Sequence, residues 1–70
     1  MQFTVNKNIA RLLRNTGQRQ AEVTDKAGIG RKVFSNIVRC KRKVYADEVV
    51  PIAMAMGVSV ESLFVESVSE

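Results

Sequence analysis

Six of the chain's eleven basic residues, Arg31, Lys32, Arg39, Lys41, Arg42 and Lys43, fall within thirteen consecutive positions that hold no acid. Guanidinium and ammonium groups gathered this closely bind anions, and a stripe of them suits a polyanionic partner as well as it suits a solvated charge run. From Val44 to Glu70 the sign inverts. Asp47, Glu48, Glu61, Glu66 and Glu70 stand there without a Lys or Arg, so a net charge of +4 conceals a basic middle and an acidic end. Covalent chemistry finds little to work with. With no His, one Cys and scattered carboxylates, no set of nucleophile, base and orienting group can be assembled, and no glycine-rich phosphate cradle appears. The same composition offers no tetrahedral zinc set, and the single Cys40 cannot form an internal disulfide. The chain is therefore expected not to be an enzyme and to need no metal, cofactor or small-molecule ligand.

Binding residues need a scaffold, and seventy residues suffice for one domain, here residues 1–70, with an economical core. The 46% hydrophobic content and single Pro are those of a folding chain. No apolar stretch approaches the roughly 20 residues that span a bilayer, and the N-terminus carries no signal-peptide pattern, so a soluble cytoplasmic protein is expected.

The apolar periodicity predicts an all-α bundle of about five short helices. Val5, Ile9, Leu12 and Leu13 recur at helical spacing over roughly 5–15, with Thr4 or Asn6 as the N-cap and Gly17 as a left-handed stop. Val23 and Ala27 mark a second helix that closes at Gly28, and Val33, Phe34, Ile37 and Val38 form the apolar side of a third. Val49, Ile52, Ala53 and Met56 lay down a further stripe ending at Gly57. Pro51 would break that helix unless it began late, so Asp47 is expected as its N-cap, with Pro51 close to the first turn. Ser59 then caps a brief fifth helix presenting Val60, Leu63 and Phe64. For Val65 to Glu70, frayed helix, edge strand and disorder stay open.

The segment QAEVTDKAGIGRKVFSNIVR, residues 20–39, resembles the helix-turn-helix of phage repressors and Cro proteins and of the wider bacterial regulators that share it. With AGIG and IAMAMGVSVESLF the likeness extends over about 55 residues. It implies that Gln20 opens the first helix of the motif, Val23 and Ala27 point inward, Gly28 turns the chain at positive φ, Ile29 fills the angle, and Phe34 and Ile37 seat the second helix. Some positions depart from the pattern. Thr24 stands where Ala is usual, so its hydroxyl needs a partner, which the carbonyl one turn behind can be. Arg19 replaces the usual Ser or Thr cap. Cys40 and Val44 replace frequent Gly and Pro, leaving the following turn undefined. Leu13 and Val38 occupy positions where many relatives pair an Arg with a Glu, and the joint replacement predicts that the two apolar side chains touch.

The resemblance implies that the second helix of the motif lies in the major groove of double-stranded DNA while the first crosses the backbone. Arg31, Lys32, Ser35 and Asn36 then contact bases: Arg31 and Lys32 donate to guanine O6 and N7, and Asn36 pairs with adenine N6 and N7. Arg19, Gln20, Arg39, Lys41, Arg42 and Lys43 contact phosphates and supply salt-dependent affinity. The family acts as symmetric dimers on palindromic operators with half-sites roughly 34 Å apart. Surplus apolar residues Met54, Met56, Val58, Val65 and Val68 make 54–68 the expected dimerisation region. The reading is then a transcriptional regulator, usually a repressor, of the bacterial cytoplasm or nucleoid and of phage, plasmid or chromosomal origin. Two alternatives stand beside it. One is a protein-interaction module, antirepressor or adaptor-like, that keeps the fold, with Tyr45 as its only exposed-looking anchor; the other is the N-terminal part of a longer repressor.

Overall fold

The computed structural model describes residues 3–65. Apolar spacing and glycine stops produce four α-helices: α1 (Thr4–Thr16), α2 (Gln20–Ala27), α3 (Arg31–Val38) and α4 (Ala46–Met56), followed by a short 3-10 helix at Glu61–Leu63. No strand occurs among the described residues. α2 packs on α3 and α4, while α1 packs on α3 and on the 3-10 helix. Ile9, Val23, Phe34, Ile37, Ile52 and Leu63 meet at the centre with no solvent exposure, joined by Leu13, Val49, Ala53 and Met56. Every helix contributes to this one cluster, so none can bury its apolar face alone. Leu13 lies within it and Val38 packs against it from α3, giving an apolar region where a charged pair would be costly to bury.

Four expectations need correction. Neither Thr4 nor Asn6 is the N-cap: Phe3 holds that position, Thr4 is the first helical residue, and Asn6 is buried within the helix. α4 likewise begins at Ala46, after Tyr45 and ahead of Asp47. Its first turn is closed by Glu48, whose carboxylate accepts the Tyr45 N–H at 3.0 Å. Pro51 consequently sits in the second turn, inside the helix. The hydrogen bond it forgoes would have ended on the carbonyl of Asp47, an exposed residue where water can take the place of the missing donor. The fifth element is a single 3-10 turn, held by Ser62 N donating to Ser59 Oγ at 3.2 Å. In that tighter geometry Leu63 is buried but Phe64 is turned out, 55% exposed. Met56, counted with the surplus apolar residues, is 3% exposed and belongs to the core.

Candidate nucleic-acid interface

Two short helices meeting through three residues form the frame of the site. α2 ends at Gly28, whose φ of +71° is the left-handed conformation that lets the chain reverse in so few residues. The carbonyl of Thr24 accepts from both Gly28 N, at 2.9 Å, and Ile29 N, at 3.1 Å. Thr24 itself is buried, and its hydroxyl donates to the Ala21 carbonyl at 2.9 Å, so the departure from Ala is satisfied within the helix. Ile29 packs against the core from the turn. Gly30, in extended conformation, then starts α3.

α3 separates its residues cleanly by direction. At about 100° per residue, Arg31, Lys32, Ser35, Asn36 and Arg39 share an arc of about 140°, and Val33, Phe34, Ile37 and Val38 share the opposite one. Burial follows this division: Phe34 and Ile37 are fully enclosed, whereas Arg31, Lys32 and Arg39 are exposed and Ser35 and Asn36 half-buried. Arg19 and Gln20, at the start of α2, are exposed as well. Arg19 has the extended backbone of an N-cap but provides no side-chain cap, since a guanidinium has only donors and the free N–H groups of a helix start need an acceptor.

After α3 the chain makes a second tight reversal, which brings Lys41 and Lys43 to the surface. Lys41 N donates to the Asn36 carbonyl at 2.8 Å and Cys40 N to the Ile37 carbonyl at 3.1 Å. This paired closure of a helix C-terminus requires a left-handed residue, and Cys40 takes that role with φ of +59° where glycine would be at ease. Lys41 and Lys43 are exposed, whereas Arg42 between them folds back. Its Nη1 and Nη2 donate to Glu48 Oε1 and Oε2, each at 2.9 Å, and Nη1 also donates to the Lys43 carbonyl at 3.1 Å. Its guanidinium lies over the Tyr45 ring, 4.6 Å from the centroid. The Arg42 hydrogen bonds, aided by the Tyr45 N–H, hold the Glu48 carboxyl below its ordinary pKa. Sequence grouped Arg42 with its neighbours as a phosphate ligand; the structure gives it an internal partner.

Two asparagines of α1 tie distant segments to the body of the fold, and the spacing alone did not assign either of them this role. The buried Asn6 of α1 donates through Nδ2 to the Ile37 carbonyl at 2.9 Å and to the Arg42 carbonyl at 2.6 Å. Asn8 does the same for the C-terminal segment, donating to the carbonyls of Leu63 at 2.8 Å and Val65 at 2.7 Å. Its Oδ1 in turn accepts from Arg11 at 3.0 Å. A signal was present in the spacing. Asn6 is in phase with Ile9 and Leu13, and Asn8 with Val5 and Leu12, and an amide on a core-facing stripe must find partners.

No protein-family model and no curated protein matches the chain. Among solved structures it is similar to the restriction-modification controller protein C.AhdI from Aeromonas hydrophila, with a TM-score of 0.79 over 87% of this chain and 92% of that one, at 20% sequence identity. With so few residues in common, what the two share is architecture: the chain has an all-α, helix-turn-helix bundle fold.

Proposed function

We propose that the chain is a sequence-specific DNA-binding transcriptional regulator that inserts α3 into the major groove. The observation that carries this reading is the outward face of α3, where Arg31, Lys32, Ser35 and Asn36 stand opposite the fully buried Phe34 and Ile37. Such a face offers hydrogen-bond donors in the arrangement that base edges accept, and it lacks the aromatic or aliphatic anchor that a protein-docking helix would present. Arg31 and Lys32 read guanine, Asn36 reads adenine, and Ser35 lies beside them. Arg19, Gln20, Arg39, Lys41 and Lys43 hold phosphates. Arg42, engaged by Glu48 and Tyr45, serves by fixing the loop that carries Lys41 and Lys43. The role of C.AhdI as a restriction-modification controller agrees with a regulatory function.

The protein acts as a homodimer on a palindromic operator, in the manner of phage repressors and Cro, and represses by covering a promoter. Exposed Met54 and Val65 and half-buried Val58 support 54–68 as the dimer surface; Val68 lies outside the described residues. The cell compartment in this reading is the cytoplasm, and no helix among the described residues is long and apolar enough to cross a membrane. Selection from random duplexes, repeated with Arg31→Ala, Lys32→Ala and Asn36→Ala, tests the proposal. A palindromic consensus that relaxes at separate positions in the three variants is expected. Uniform, salt-sensitive binding without a consensus would overturn it in favour of a protein partner.

A further inference from the structure

Asn6 and Asn8 are near twins in chemistry. Both belong to α1, both are almost fully buried, and each spends its Nδ2 group on two backbone carbonyls far away in sequence. They differ in what they hold. Asn8 grips the end of the 3-10 helix, at Leu63, and Val65 beyond it, away from α3. Asn6 grips Ile37, in the last turn of α3, together with Arg42 in the basic loop. Its two acceptors therefore belong to the two parts of the proposed interface, the base-reading helix and the phosphate-contacting loop, and one rigid amide fixes the position of each relative to the other.

The geometry points to Asn6 as a positioning residue for base recognition. It touches no DNA; it sets the angle at which α3 leaves the body of the protein and the register of α3 against the loop. Base-edge hydrogen bonds tolerate deviations of only a few tenths of an ångström, so loss of this anchor blurs the reading before it weakens the phosphate contacts, which accept many geometries. Arg42 is held from the other side by Glu48, so the loop keeps its link to α4 when Asn6 is removed, and α3 is the part set free. This inference rests on the DNA-reading function proposed above.

The experiment compares Asn6→Ala and the milder Asn6→Ser, whose hydroxyl can still donate to one carbonyl, with Asn8→Ala as the matched control. Each is assayed at a temperature where circular dichroism shows it folded, by its affinity for the selected operator and for single-base variants, and by amide hydrogen exchange of the free protein. A mismatched base pair ordinarily reduces affinity by roughly tenfold. In Asn6→Ala that ratio is expected to fall to about twofold at the bases read by α3, with the Cys40 and Lys41 amides exchanging at least about tenfold faster. Asn8→Ala should retain the wild-type ratios whatever it does to overall affinity. If Asn6→Ala does not fold, Asn6→Ser decides by the same readings. Unchanged base ratios in a folded Asn6 variant, or equal flattening in Asn8→Ala, would overturn the inference. A wild-type chain without base preference would refute the function proposed above, and the exchange rates would then decide alone whether Asn6 anchors α3.

Discussion

Arg42 and Glu48 meet side by side, two nitrogens to two oxygens at 2.9 Å each, across the turn that joins the basic loop to α4. A bidentate pair of this kind holds direction as well as distance. Here it occupies Arg42, the middle cation of the Lys41–Lys43 run, and leaves Lys41 and Lys43 exposed.

That pairing separates the three basic neighbours by their salt dependence. Each phosphate neutralised contributes about 0.9 to the slope of log affinity against log salt. Lys41→Ala and Lys43→Ala should each lower the slope by about that amount, whereas Arg42→Ala should leave it nearly unchanged. Glu48→Gln, which frees the guanidinium, should steepen it. Titrations of operator binding over a range of salt concentrations provide the check, and equal losses for all three cations would show that Arg42 leaves Glu48 to bind DNA.

The same pair gives stability a defined pH dependence. The Glu48 pKa is depressed in the folded chain, so its contribution is complete above the unfolded carboxylate value of about 4.3 and is lost as pH falls through the lower folded value. Because both partners are partly exposed, the effect is at most about 1 kcal/mol. Urea unfolding of wild type and Glu48→Gln should differ by that amount at pH 7 and converge toward pH 3.

Cys40 and Gly28 occupy the same backbone region, with φ of +59° and +71°. A left-handed residue with a side chain is strained by roughly 1 kcal/mol. Cys40→Gly should therefore stabilise the fold, by about 0.5 kcal/mol once the greater freedom of the unfolded chain is subtracted. Gly28→Ala should cost about 1 kcal/mol through backbone strain alone, since a Cβ there would meet nothing within 4 Å. Denaturant midpoints of the two variants should move in opposite directions.

Thr24 is buried, yet its hydroxyl bonds only within its own helix. Replacement by Val keeps the volume and removes a donor whose acceptor, the Ala21 carbonyl, lies in a helix that supplies backbone donors. Thr24→Val is thus expected to change stability by less than about 1 kcal/mol and to leave operator affinity intact. A loss of 2 kcal/mol or more, on the order of a buried unpaired group, would mean that the hydroxyl sets the crossing angle of α2 and α3.

Met54, 75% exposed on α4, tests the dimer surface. Met54→Lys should shift sedimentation toward the monomer and raise the protein concentration needed for operator binding by about tenfold, the effect of losing roughly 1.4 kcal/mol of burial at an interface. Unchanged sedimentation would place the contact between protomers elsewhere.

Local signals in the sequence were enough for the frame of this molecule. Gly17, Gly28 and Gly57 stop three helices where the spacing places them, all with positive φ, because a glycine stop is a property of a few adjacent residues. The outward face of α3 was legible for the same reason: Phe34 and Ile37 fix which side is inward. What periodicity could not supply was any bond made across the chain. Asn6 was expected only as a cap and Asn8 had no assigned role, and their acceptors lie between 31 and 57 residues away. The internal partner of Arg42 was hidden by its neighbours, since a run of cations reads as one patch until a carboxylate is placed against a single member. Pro51 misled in the opposite direction. A strong local rule pushed the start of α4 too late, and closure of its first turn by Glu48 outweighed it.

The two asparagines of α1 also set a timetable for folding. α1 is made before the rest of the bundle, and the carbonyls its amides require belong to Ile37, Arg42, Leu63 and Val65. A nascent chain shorter than this must keep those amides in water, and with them the apolar stripe in which they are embedded. Closure of the bundle around α1 is therefore a late event in synthesis, completed only once Val65 has cleared the exit tunnel.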